Sequence, residues 1–341
     1  MLTRQHRRDG FTIVEVLVVI SIIGVLAGLL LPAVSNAHRR ALKAEEMNRL
    51  RQVGIAWSLY ANANSDAALP GFLPADVQSD NDPLTRDWKV TYKLPSKDPV
   101  RAADAEEWPW RLMKYLDYSH DVVLGYRKMA EPSELAMEYR DPPVIMDPAF
   151  DPNGTLYSSD TERPVTIAEQ PAFGYNAEYV GGWWDRELEV EDDSGTVVEI
   201  RPMPRYYDHK ENSPGGRRVN LIVHSPAQIH RTSDFIVFCS SSLQPPGKQV
   251  RRIEDNRPGC HWVHAPYGPN NSGKVWSVGS DPSYVVTEGN QNVAVPAGRY
   301  TGQVAILNGD LHTQTKYPGS LDDQRFWINI AEGPDFIHWG P

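Results

Sequence analysis

From Phe11 to Val34 the chain runs FTIVEVLVVISIIGVLAGLLLPAV, apolar or small at nearly every position and charged at Glu15 alone. At a rise of about 1.5 Å per residue, a helix over this stretch is long enough to cross a hydrocarbon layer roughly 30 Å thick. Pro32 removes one backbone hydrogen bond from that helix and predicts a gentle bend. Gly24 and Gly28 carry the GxxxG spacing that lets helices approach closely in lipid, a pattern also common by chance. Beyond Val34 the pattern turns amphipathic. Ala37, Ala41, Ala44, Met47, Leu50, Val53, Trp57 and Tyr60 recur every three or four residues, with His38, Arg39, Arg40, Lys43, Glu45, Glu46, Arg49 and Arg51 assigned to the other faces. Asn62-Ala63-Asn64-Ser65-Asp66 then supplies turn formers. The pattern predicts one long helix whose second half packs on a head through Trp57 and Tyr60.

Residues 66–107 are rich in Pro, Asp and Asn and read as a connecting region; Trp108–Leu116 reads as a short amphipathic helix. Between 139 and 165 prolines recur too often for regular structure. β-Branched and aromatic runs predict strands at Arg218–Val223, Asp234–Cys239, Lys274–Val278, Tyr284–Thr287, Gln303–Leu307 and Leu311–Lys316, with Asn308-Gly309-Asp310 as a hairpin turn in which Gly309 supplies a positive φ. The resulting class is α+β: a long N-terminal helix, half membrane-spanning and half amphipathic, packed on a loop-rich antiparallel β-sheet head. The expected divisions are a leader at 1–10, a transmembrane helix at 11–34, its amphipathic continuation at 35–64 and a head at 65–341.

The chain holds 34 Lys and Arg against 44 Asp and Glu, a net charge of −10; without residues 1–10 the balance is 31 against 43, or −12. An acidic exterior argues against nucleic acid as a partner, because phosphate contacts need a basic face. The 28 prolines and 25 glycines imply many turns and short strands rather than a helical bundle. Cys239 and Cys260 are the two cysteines. Outside the cytoplasm they are candidates for a disulfide closing a loop of about twenty residues, worth roughly 3 kcal/mol; two separate buried thiols are the alternative.

A carboxylate in lipid costs on the order of 2.5–3.5 kcal/mol near the centre, so Glu15 needs a partner or a task. Arg4, Arg7 and Arg8 precede the apolar run and would stay on the cytoplasmic side, with the head outside. The basic leader, then Gly10-Phe11-Thr12-x-x-Glu15, then the apolar helix resembles the processing site of type IV prepilins and type II secretion pseudopilins. The resemblance implies cleavage after Gly10, N-methylation of Phe11, and assembly through Glu15 into a pilus or pseudopilus. Glu15 would there neutralise the new amine of a neighbouring subunit. Pro32 sits where such helices often carry proline. The implied partners are the prepilin peptidase, other pilin or pseudopilin subunits, an inner-membrane assembly platform and the inner membrane itself, crossed once. Two plainer readings compete: a secretory signal cut near Ser35-Asn36-Ala37, and a simple anchor. Neither explains Gly10-Phe11 with Glu15.

The head is similar, more loosely, to large pseudopilin-like proteins, through Leu112-Met113-Lys114-Tyr115-Leu116, Phe173-Gly174-Tyr175-Asn176 and Gly309-Asp310-Leu311-His312. The last departs from the usual Asp-Gly-His order. Asn308, Asp310, Asp322 and Asp323 are hard oxygen donors, and some pseudopilins hold Ca²⁺ in a C-terminal loop; a solvated turn is the alternative. Cys260, His261 and His264, with His224 or His230, match no standard zinc spacing. Ser240-Ser241-Ser242 lacks a nucleophile-elbow context and Asp192-Asp193 sits in an acidic patch, so no enzyme is expected and no cofactor beyond that calcium reading. Ten tryptophans, with Trp183-Trp184 after two glycines, leave a polysaccharide-binding tip subunit as the alternative function.

Overall fold

A computed structural model of the chain describes residues 12–73, 105–125, 168, 171–185, 189–191, 197–200, 203–205, 221–244, 247, 249–250, 259–267, 274–288 and 293–336. Helix α1 spans Ile13–Ala63, running through Pro32 as one element and ending at Asn64. Ser65 and Asp66 follow in left-handed conformations (φ 56° and 63°), which stops the helix where the polar cluster predicts. Two short helices follow, α2 (Trp108–Leu112), extended by a 3-10 turn over Met113–Leu116, and α3 (His120–Leu124).

The described strands are β1 (Phe173–Tyr175), β2 (Trp183–Asp185), β3 (Glu189–Glu191), β4 (Val197–Ile200), β5 (Met203–Arg205), β6 (Ile236–Gln244), β7 (Gln249–Val250), β8 (Trp276–Val278), β9 (Val285–Thr287), β10 (Val293–Pro296), β11 (Val304–Asn308) and β12 (Thr313–Lys316). The nine-residue β6 organises the main antiparallel sheet. It pairs with β1, β10 and β11, and β11 pairs in turn with β12. Smaller sheets are the β2–β5 and β3–β4 pairs and a β7-β9-β8 ribbon. The α+β class therefore holds.

Alternation along the strands sends side chains to two cores. Ala305 and Leu307 face α1, α2 and α3, whereas Val304 and Ile306 face a second layer containing Val250, Trp276, Val285 and Trp327. On β6 the alternation breaks: Val237 and Phe238 both enter the helix-side core, with Ile236 and Cys239 in the other. The pairing register shifts at the same place, opposite Leu307 and Asn308, as a β-bulge requires.

Several elements differ from the sequence expectation. The buried stripe of α1 runs through Leu50, Val53, Ala56, Trp57 and Tyr60, but Ala37, Ala41 and Ala44 are exposed, because the head reaches only as far as Leu42 and Lys43. Glu46, assigned to an outer face, is buried at 4% exposure. Leu221–Val223 is not a strand; Val223 forms a single bridge to Val180, and 218–220 lie outside the described residues. In the β11–β12 turn the left-handed residue is Leu311 (φ 66°), not Gly309. Gly309 instead permits close approach, since a Cβ there would stand 3.0 Å from Ile229. Most of the 66–107 connection and all of 139–165 lie outside the described residues.

Candidate functional site

Gly10 and Phe11 lie outside the described residues; the site becomes visible at Thr12. Thr12 is the N-cap of α1, and its Oγ1 accepts the Glu15 amide N–H at 3.3 Å. The Glu15 carboxylate reaches back to accept from the Thr12 amide at 2.8 Å and from the Thr12 hydroxyl at 2.8 Å. This reciprocal capping box satisfies donors that the first turn of a helix otherwise leaves open. It also gives the one acid of the apolar segment a partner within its own chain. Thr-x-x-Glu before an apolar run is a readable capping-box pattern, a local signal for this role of Glu15 beside the intermolecular one.

From Ile13 to Val34 the helix stands free of the head. Ile13 is 84% exposed and Leu29 71%, and no atom lies within 4 Å of where a Cβ on Gly24 or Gly28 would be. Its apolar window has a mean hydropathy of 2.8 with none of it buried in the fold. An apolar surface of this extent calls for lipid or protein to cover it.

The second half of α1 docks through polar contacts set three residues apart. Lys43 donates to the Gln303 carboxamide at 2.5 Å. Glu46 accepts from the Ser240 hydroxyl on β6 at 2.8 Å and lies 3.7 Å from the Arg299 guanidinium, which is 1% exposed. Arg49 donates to the Asp121 carbonyl on α3 at 2.7 Å. Burial pushes the Glu46 carboxyl above its ordinary range, and Arg299, Ser240 and Lys43 pull it back only in part. Glu46 stands four residues before Leu50 and so lies on the buried stripe by spacing; its partners, from residues 240 and 299, are what the spacing does not show.

Phe173-Gly174-Tyr175-Asn176 ties the helix to the sheet. Phe173 fills the helix-side core. A Cβ on Gly174 would stand 2.3 Å from the Trp262 carbonyl, so only glycine lets that segment lie across β1. The Tyr175 hydroxyl donates to the Leu69 carbonyl at 2.8 Å and accepts the Trp57 indole N–H at 3.3 Å. The Asn176 amide donates to the carbonyls of Ile236 and Trp327.

The remaining candidates do not converge. Asn308 is buried, its carbonyl oxygen taking the Gln314 amide at 2.7 Å. Asp310 accepts from the His312 amide, Asp322 holds the Lys274 ammonium at 2.9 Å, and Asp323 pairs with Arg325 and caps a 3-10 turn. Among the described residues, no three His, Cys, Asp or Glu side chains gather within reach of one metal ion. His264 binds Glu178 at 2.9 Å, and His261 lies 3.2 Å from Glu107. Of the two readings for the cysteines, this structure has the separate buried thiols: Cys239 packs in the far core, and the Cys260 backbone is held by the Ser241 hydroxyl at 2.7 Å. Ser240 and Ser242 likewise bond neighbouring side chains. Five tryptophans, Trp57, Trp108, Trp110, Trp276 and Trp327, are fully buried core. The backbones of Trp183 and Trp184 lie in β2, but their side chains, like Asp192-Asp193, lie outside the described residues.

Residues 5–31 match the family described as the prokaryotic N-terminal methylation motif. The match spans Gly10, Phe11, Thr12 and Glu15 and supports a type IV pilin-like protein. No curated protein and no solved structure matches the chain.

Proposed function

We propose that this chain is the precursor of a pilin or pseudopilin subunit, cut after Gly10 by a prepilin peptidase and N-methylated at Phe11. The mature subunit is held in the inner membrane by the first half of α1 with its head outside the cytoplasm. An assembly platform then draws it, through that helix, into a type II secretion pseudopilus or type IV pilus. The observation that carries this reading is the methylation-motif match over residues 5–31, continuous with a helix whose apolar half is unburied by its own head. The role is structural: in the head, Ser240, Tyr175 and the Asn176 amide hold elements together.

The test is the mature N-terminus. Intact-mass and N-terminal peptide analysis from cells with the peptidase should give a chain beginning at N-methyl-Phe11. Cells lacking the peptidase should give one beginning at Met1. A mature chain beginning beyond Ala37 would refute the reading and point to an ordinary secretory signal.

A further inference from the structure

Between the apolar half of α1 and the head lies a neck, residues 35–41, whose side chains are all exposed. It starts after Val34, where the apolar run ends, and stops short of Lys43, which donates to Gln303 of the head. The neck carries Arg39 and Arg40 and no acid. Positions three and four away on the helix hold no carboxylate either: Ser35, Asn36, Leu42 and Lys43 around Arg39, and Asn36, Ala37, Lys43 and Ala44 around Arg40. Among the described residues neither arginine makes a hydrogen bond or ion pair, and the next acid along the helix, Glu45, is taken by Arg49 at 2.5 Å. From Ala44 onward the chain holds 28 Lys and Arg against 42 Asp and Glu, so the neck is a cationic band ahead of an acidic head. Positive charge beside a span favours the cytoplasmic side, so two arginines on the head side work against the orientation that Arg4, Arg7 and Arg8 favour. Their placement calls for a local partner of negative charge.

We propose that Arg39 and Arg40 form a collar that binds the headgroups of anionic phospholipids on the head-side face of the membrane. The collar rests on the reading of Ile13–Val34 as membrane-spanning. A headgroup layer adds about 5–7 Å to each side of a hydrocarbon core roughly 30 Å thick. Arg39 and Arg40 stand about 8–9 Å past Val34 along the axis, and long arginine side chains reach back to the phosphate level. Each guanidinium is a flat fork of N–H donors that matches a phosphate through two hydrogen bonds. The two side chains leave α1 about 100° apart, so they address a layer that surrounds the helix rather than a partner on one face. The collar also offsets the repulsion between an acidic head and an anionic surface, which acts within a screening distance of about 8–10 Å. Its consequence is a fixed depth: the subunit awaits assembly with the neck seated among the headgroups and the head directly beyond them.

The experiment places the full chain in phosphatidylcholine nanodiscs with a fluorophore on Ala37→Cys, a site that thiol chemistry selects because Cys239 and Cys260 are buried. A minor fraction of the lipid is either phosphatidylglycerol or phosphatidylcholine, each carrying the same nitroxide quencher near its carbonyl. The anionic lipid should quench roughly two- to fivefold more than the zwitterionic one, and molar salt should remove most of that excess. Arg39→Gln/Arg40→Gln should bring the two lipids level without moving the melting temperature of the head. Arg39→Lys/Arg40→Lys should keep most of the excess. So should Arg4→Gln/Arg7→Gln/Arg8→Gln, whose charges lie at the other end of the span. Equal quenching by the two lipids in the parent, or an excess that survives loss of both arginines, would overturn the collar and leave the span intact. Equal quenching together with dimers cross-linked at position 37, in discs holding two copies, would assign the arginines to an acidic face of a second copy instead. Quenching by neither lipid would overturn the membrane-spanning reading itself, and the collar with it.

Discussion

Tyr175 shows how one side chain couples the two halves of the molecule. Its hydroxyl is buried, donating to Leu69 and accepting from Trp57, so removing it leaves a carbonyl and an indole N–H without water or partner. Tyr175→Phe should lower the stability of the head by about 1–3 kcal/mol, read as a fall in denaturation midpoint at unchanged slope. Glu46 makes a different prediction, because its carboxyl is held above the ordinary value of 4.5, chiefly by burial. Between that ordinary value and the raised one, the folded protein keeps a proton that the unfolded chain has shed. The stabilisation is complete below about 4.5 and is lost as pH rises through the folded value. Glu46→Gln cannot titrate, so its melting temperature should gain on the parent's as pH increases through this window. A difference that stays constant with pH would show that the buried acid does not titrate there.

At the scale of elements, close approach is decided by glycine. Gly174 lies where the segment through Trp262 crosses β1, and its missing Cβ leaves room for a backbone oxygen that cannot move aside without displacing the segment bearing it. Gly174→Ala should therefore destabilise the head by about 1–3 kcal/mol, with hydrogen exchange rising first at Tyr175 and Val263, whose amides bond across this crossing. The Phe-Gly-Tyr-Asn phrase was visible in the chain, but its purpose was not, since each contact reaches 60 or more residues away. Helix α1 was legible almost to the residue, because periodicity and turn formers are local signals. The hairpin over Asn308–Asp310 was legible too, yet its left-handed position fell to Leu311, whose side chain packs partly against the helix-side core. Tertiary packing overrode local preference there. The position of Glu46 was legible, four residues before Leu50 on the buried stripe, but a carboxylate there reads as an outer-face charge until Ser240 and Arg299 supply its partners.

Of the three acids of α1, Glu15 and Glu46 stand in opposite surroundings, one bearing on the proposed assembly and the other on folding. Glu46 sits in the head and bears on how the helix docks; Glu15 sits in the free apolar half and touches nothing beyond the first turn of α1 among the described residues. Its capping box with Thr12 means that a lone subunit in lipid need not present a bare carboxylate. In the proposed filament, a neighbouring amine would compete with an existing set of hydrogen bonds rather than fill a void. Glu15→Ala removes a group that opposes insertion by on the order of 2.5–3.5 kcal/mol, so membrane insertion should be preserved or improved, and the head, from which this exposed segment stands free among the described residues, should melt as in the parent. Filaments sheared from cells should nonetheless disappear, while alkaline extraction still finds the subunit in the membrane. This combination isolates the intermolecular role of the acid, because neither misfolding nor failed insertion can produce it. Filaments of normal abundance from Glu15→Ala would remove that role, leaving the carboxylate as a helix cap alone.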